Sequence, residues 1–201
     1  MMGRIVLGAL ALVMGASALP AKAQFSERFE FFEALRKEEA AEVIDMLSRP
    51  GQTLVNAKEP NSGKTALHVM VERQEVPWIN LLQQKGASMN VQDDDGNTPL
   101  LIASTMNFTD GVRLLMHYGA DPNVANRRGE TPLIRAVQRR DYEMVRVLME
   151  AGADPDQRDN YAGYSARDYA ERDRRGTRIR EIIDSFEGTA ETNADLQGPA
   201  L

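Results

Sequence analysis

The sequence predicts an all-α solenoid of helix-turn-helix units joined by short β-hairpin-like loops, and three recurring markers predict it. Gly63-Lys64-Thr65-Ala66-Leu67, Gly96-Asn97-Thr98-Pro99-Leu100 and Gly129-Glu130-Thr131-Pro132-Leu133 align without gaps, and their glycines are 33 residues apart. Gly86-Ala87, Gly119-Ala120 and Gly152-Ala153 keep the same spacing of 33. So do Asn90, Asn123 and Asp156. A fixed period of this length, held in one phase by three markers, is the mark of stacked repeats.

Each marker has a physical role. The first glycine supplies the positive φ of a tight turn. The threonine two residues later is an N-cap whose hydroxyl accepts from exposed backbone N–H groups. Proline then suits the first helical position, where no N–H is needed. Leu67, Leu100 and Leu133 open the apolar face of a first helix. A second helix follows, with Ile79, Leu81 and Leu82, then Val112, Leu114 and Leu115, then Val145, Val147 and Leu148. Glycine just after each run is a helix-stop signal. Asp121-Pro122-Asn123 and Asp154-Pro155-Asp156 are turn-forming.

The pattern resembles the ankyrin repeat, a unit of ~33 residues with a T-P-L-H-x-A signature. Residues 61–159 follow it closely. Thr65-Ala66-Leu67-His68 keeps the family histidine, whereas Leu101 and Ile134 stand at that position in the next two units. The resemblance implies a histidine bond between neighbouring loops, which must be missing or replaced in those units. It also implies a protein-binding role.

The flanks read as worn terminal repeats. Phe29, Phe32, Leu35, Val43, Ile44 and Leu47 lie at helical spacing, and Gly51 and Asn56 echo the later markers with one extra residue. Gly163 follows Gly129 by 34 residues, Ser165-Ala166-Arg167-Asp168 replaces the capping segment, and Ile179, Ile182, Ile183 and Phe186 supply a last helix. Terminal repeats with a polar outer face keep such arrays soluble. The ankyrin-repeat domain is therefore expected over 24–188, in units near 24–60, 61–93, 94–126, 127–159 and 160–188, with a disordered tail over 189–201.

Residues 1–23 read as a cleaved secretory signal peptide. Arg4 precedes an apolar run from Ile5 to Met14, Pro20 breaks it, and Ala21-Lys22-Ala23 is an A-x-A site. A membrane-spanning helix needs about 20 apolar residues, and this run ends too soon. The expected location is the periplasm, with no integral membrane segment after cleavage and a monomeric mature chain. No twin arginine is present, which points to export of the unfolded chain.

The chain contains no cysteine, which excludes disulfides, thiolate metal sites and a catalytic thiol. A net charge of −6 gives no case for nucleic-acid binding. Ser62-Gly63-Lys64-Thr65 ends like a phosphate-binding loop, but Lys58 occupies the position of the glycine that motif needs. Asp93-Asp94-Asp95-Gly96 resembles part of a calcium loop, but its terminal ligand positions would be Val91 and Ile102. His68 and His117 form no pair at metal-ligand spacing, and no G-x-S-x-G elbow is present. Asn107-Phe108-Thr109 is a glycosylation sequon, relevant only in a eukaryotic source. Neither a catalytic set, nor a cofactor, nor a metal is expected.

Charge is unevenly spread: residues 126–180 carry 13 basic and 10 acidic groups, and all 13 are arginine. The family resemblance implies a concave binding face made of hairpin tips and the exposed side of each first helix. The candidate residues are Asp94, Asp95 and Asn97 on one tip, Arg127, Arg128 and Glu130 on the next, Tyr161 and Tyr164 on the third, and Arg139 on a first helix. Arginine and tyrosine are enriched at energetic hot spots. The reading is an exported module that scaffolds, inhibits or protects another protein, one with an acidic patch. Two alternatives stand beside it: a membrane-surface or polyanion-associated protein using the arginine-rich repeats, and an enzyme on a repeat scaffold. Salt-sensitive adsorption to anionic vesicles would distinguish the first alternative, and a deep pocket of convergent ionisable groups the second. Gly119→Val is expected to destabilise the fold by about 1–3 kcal/mol, because a β-branched residue disfavours positive φ; an unchanged thermal midpoint would show the register to be misplaced.

Overall fold

The computed structural model describes residues 21–49 and 53–196. Among the described residues, ten α-helices form five pairs: α1 (Ala21–Arg36) with α2 (Ala40–Ser48), α3 (Ala66–Glu72) with α4 (Val76–Gln84), α5 (Pro99–Thr105) with α6 (Thr109–His117), α7 (Pro132–Gln138) with α8 (Tyr142–Glu150), and α9 (Ala166–Arg172) with α10 (Thr177–Leu196). A 3-10 turn, Leu54–Asn56, follows the first pair. This is the all-α ankyrin solenoid expected. Residues 1–20 of the expected signal peptide, and Gly51, lie outside the described residues, and the expected cleavage point after Ala23 falls in the first turn of α1. The helical backbone of α10 runs on to Leu196, into the segment expected as a tail. The helix is anchored through its first turns by the buried Ile179 and Ile183.

The first helices pack in a row, α3 on α5, α5 on α7 and α7 on α9, while α6, α8 and α10 form the layer behind them. One apolar core runs between the rows. Leu67, Leu100 and Leu133 are fully buried in it, with Ile79, Val112, Leu115, Val145 and Leu148 from the second helices. Burying each side chain of this size is worth about 1.5–3 kcal/mol. The caps sit where the threonines predict: Thr98 Oγ1 accepts from Leu101 N and Thr131 Oγ1 from Ile134 N, each at 3.2 Å. In the last unit Ser165 takes over, and Asp168 completes a capping box by accepting from Ser165 N at 3.0 Å.

Bonds between consecutive loops repeat with the period of the sequence. Asn56, Asn90 and Asn123 each reach the unit that follows. Their side-chain amides donate to the carbonyls of Gly86, Gly119 and Gly152, and their side-chain oxygens accept from Ser88 N, Asp121 N and Asp154 N. An amide side chain carries both the donor and the acceptor that this pair of bonds needs, whereas a carboxylate only accepts. Asp156 holds the same position in the fourth unit, after which no further glycine marker follows in register, and it instead takes the Arg167 guanidinium at 2.9 Å.

A second ladder joins the hairpin tips. Asp94 N donates to Ser62 O, Arg127 N to Asp95 O, and Asn160 N to Arg128 O, at 3.0, 3.1 and 2.7 Å. The tip glycines make this approach possible. A Cβ on Gly96 would lie 2.7 Å from Arg127 N, and one on Gly129 would lie 2.6 Å from Asn160 N. Gly119 is different: its φ is +87°, but a Cβ added there would meet nothing within 4 Å. The strain of a side chain at Gly119 is therefore that of its own backbone.

His68 makes the inter-loop bond that the family resemblance implies. Its Nδ1 accepts from Thr65 N at 3.1 Å, so Nε2 carries the proton and donates to Asn97 O at 3.0 Å. Between the next two loops a different bond stands, Asn126 Nδ2 donating to Asn97 Oδ1 at 3.1 Å, while Leu101 and Ile134, at the position of the histidine, are buried apolar residues. Burial lowers the His68 pKa from its ordinary 6.5, against the opposing pull of the Asn97 carbonyl, Asp93 and Glu72. The imidazole therefore stays neutral in the folded chain, and as pH falls below 6.5 the unfolded chain takes up the proton first. Stability is full above that pH and declines below it, towards the lower folded value. His68→Leu, which copies Leu101, is expected to flatten the fall in urea midpoint between about pH 7.5 and 5.5; an unchanged slope would show that the imidazole is not held neutral.

Candidate functional site

The tip loops are built from the inside by one buried side chain each. Asp93 Oδ1 accepts from Asp95 N and Asn97 N, at 2.9 and 2.8 Å. Asn126 Oδ1 accepts from Arg128 N and Glu130 N, at 2.9 and 3.0 Å. Asp159 Oδ1 accepts from Tyr161 N, Ala162 N and Gly163 N, at 3.1, 2.7 and 3.0 Å. The third amide absorbs the extra residue that puts Gly163 34 positions after Gly129. Burial pushes the Asp159 carboxyl upward, but the Tyr169 hydroxyl and these amides outweigh it and hold it below its ordinary value. Tyr169 is driven the other way, to about 12, by burial and by its bond to Asp159. Sequence reasoning does not single out these three holders, because acids and amides in a turn look like solvated surface. Their signal is the period itself, since Asp93, Asn126 and Asp159 are also 33 residues apart.

The holders and the backbone ladder set three tips side by side. Asp94 and Asp95 are exposed, and neither forms an ion pair among the described residues. Arg127 and Arg128 are exposed on the next tip. Arg127 has no ion pair among the described residues, while Arg128 meets Glu130 at 2.9 Å. On the third tip Tyr161 is 90% exposed.

Other expected site residues have structural roles. Glu130 is only 9% exposed and is gripped by Arg128, Arg135 and the Asn126 amide, so it anchors its tip from within. Asn97 is half-buried and bridges Asp93 and Asn126. Tyr164 packs edge-on against Tyr169, with Arg172 over its ring at 3.9 Å. Arg139 follows α7 at its far end, away from the tips. The face thus groups Asp94, Asp95, Arg127, Arg128 and Tyr161, and separates them from Arg139.

Beside the arginine tip lies a groove of about 260 Å³ between α5 and α7. Leu101, Ile102, Thr105 and Met106 form its floor, and Glu72, Arg128 and Arg135 stand at its rim. Met106 is 39% exposed, whereas Leu101 and Ile102 are buried. The apolar floor exists because Leu101 occupies the position that His68 holds one unit earlier. Floor and rim together offer an apolar contact framed by charge, the layout of a protein-recognition surface. Among the described residues, no group of three His, Asp or Glu side chains is arranged to hold a metal ion, and no helix is long and apolar enough to cross a membrane.

Comparison with known sequences gives the same reading of the fold. A family profile described as ankyrin repeats (3 copies) matches residues 31–126. A second, ankyrin repeats (many copies), matches residues 114–170. The chain is also similar to the nuclear factor NF-kappa-B p105 subunit of Gallus gallus, with 46% identity over 56 residues, or 27% of this chain and 6% of that protein. The match thus spans a small part of that relative's length. Ankyrin repeats are protein-binding modules, and with matched repeats running from residue 31 to residue 170 the chain belongs to the ankyrin-repeat family.

Proposed function

We propose that this chain is an exported protein-binding module that scaffolds, inhibits or protects a partner protein through its concave face, without catalysing a reaction. The observation that carries the proposal is Tyr161, which stands 90% exposed on a tip whose backbone is bonded to the arginine tip beside it. A large aromatic side chain so placed gains little for the fold, and tyrosine beside arginine is the composition of binding hot spots. Arg127, without an ion pair among the described residues, and the exposed Arg128 favour a partner with an acidic patch there. Asp94 and Asp95 on the adjoining tip repel such a patch and fix its orientation. The Leu101, Ile102 and Met106 floor supplies the apolar contact that charge alone does not. Export rests on the amino-terminal pattern of Arg4, the apolar run Ile5 to Met14 and Ala21-Lys22-Ala23. The periplasm is the proposed compartment, and a chain without cysteine has no thiol to be oxidised there.

Arg127→Glu combined with Tyr161→Ala tests the face, because neither side chain has a structural partner among the described residues. Crosslinking followed by mass spectrometry in the native compartment is expected to lose its principal partner in the double variant. The thermal midpoint should move little, since exposed substitutions of this kind shift stability by about 0.5 kcal/mol or less. The same partner crosslinked at the same yield would overturn the proposal.

A further inference from the structure

At the end of the helix pairs opposite the tips, a second cavity of about 530 Å³ opens where α7 turns into α8. Four of its lining residues are arginines, Arg139, Arg140, Arg146 and Arg178. Two carboxylates, Asp141 and Glu143, also line it, but both are engaged. Asp141 caps α8 by accepting from Met144 N at 3.0 Å. Glu143 is turned to Arg113, which it meets at 2.6 Å. Arg140 is neutralised by Asp173, whose carboxyl its guanidinium holds down to about 2. Arg178 lies over the Tyr142 ring at 4.8 Å, an arrangement that covers one face of the guanidinium. Arg139 and Arg146 are exposed, and neither forms an ion pair or side-chain hydrogen bond among the described residues.

The arginines of residues 126–180 are otherwise mostly spoken for. Arg128 and Arg135 hold Glu130, Arg158 meets Asp168, and Arg167 bridges Asp156 and Asp184. Arg172 lies over Tyr164. Two guanidinium groups thus line one concavity unpaired, a third lining residue is stacked on an aromatic ring, and the carboxylates of the lining are occupied elsewhere. Like charges gathered in this way repel one another unless an anion joins them.

We propose that this cavity binds a small molecule carrying two or more phosphate groups. A planar guanidinium presents paired N–H donors that match phosphate oxygens, and one phosphate offers enough acceptors for two arginines at once. The volume suits a small ligand and is too small for a folded chain. The site lies on a different edge from the tip face, so its occupancy and partner binding there are separable. The arginines read the chemistry shared by phosphates that are free, as an inorganic oligophosphate, and phosphates borne on an organic carrier.

Titration calorimetry of the full chain with tripolyphosphate, ADP and citrate tests the assignment. One saturable site for tripolyphosphate or ADP is expected, and the tighter of the two identifies an inorganic or an organic source. Arg139→Ala/Arg146→Ala is expected to weaken that binding roughly tenfold or more, and the milder Arg146→Gln to weaken it in the same direction. Arg174→Ala/Arg175→Ala removes two exposed arginines outside the cavity and should leave it unchanged. The assignment is overturned by no saturable binding of either phosphate compound, by citrate binding as tightly, by no loss in the Arg139/Arg146 variants, or by equal loss in the Arg174/Arg175 variant. That last result would mark diffuse attraction to net charge rather than a site.

Discussion

The structure depends on side-chain and backbone bonds that each unit makes to the next. No single helix pair here encloses its own apolar face, since Leu100 and Leu133 are buried only because α5 and α7 are stacked on each other and on their neighbours. Stacking alone leaves the loops free to drift. Asn56, Asn90 and Asn123 prevent this by clasping both a carbonyl and an amide of the following unit. Each such hydrogen bond is worth only about 0.5–1.5 kcal/mol, but the same pair recurs at three successive boundaries. Stability in an array of this kind is a sum over neighbouring interfaces, so a modest bond repeated in register acts on the whole.

The same regularity creates the candidate binding face. Backbone bonds from Ser62 to Asp94, Asp95 to Arg127 and Arg128 to Asn160 hold the tips at fixed separation. Asp93, Asn126 and Asp159 hold each tip's shape from beneath. With backbone and buried side chains fixed, the outward residues are free to differ between units: an acidic tip, then a basic one, then a tyrosine. Ordering is already complete before a partner arrives, which removes part of the entropic cost of association. The edge at the α7–α8 turn is built differently, from the turn itself and from side chains of α8 and α10, and its charge is concentrated rather than alternating.

Much of this is legible in the sequence because it repeats. Gly96, Thr98, Pro99 and Leu100 state their roles by residue type and spacing, and the structure puts the turn, cap, first helical position and core where they indicate. Asn90 and Asn123 are legible as markers but not as clasps, because their partners lie in another unit. Glu130 looks like a surface acid, since nothing in its neighbourhood in sequence reveals that Arg135, just over one helical turn on, and Asn126 close over it. Analogy of position puts Arg139 on the concave face, whereas the end of α7 carries it to the opposite edge. The extra residue before Gly163 is visible as a broken period, but its accommodation by a third amide on Asp159 emerges only in the folded loop.

Amide hydrogen exchange under native conditions tests most directly the claim that neighbouring units are locked through their loops. The informative amides are those of Asp121 and Asp154, bonded to Asn90 and Asn123, and those of Arg127 and Asn160, bonded across the tips. All four lie in loops, where exchange is ordinarily fast. They are expected to be protected to an extent approaching the core amides of α5 and α7. Exchange at the rate of an unstructured peptide would contradict the claim.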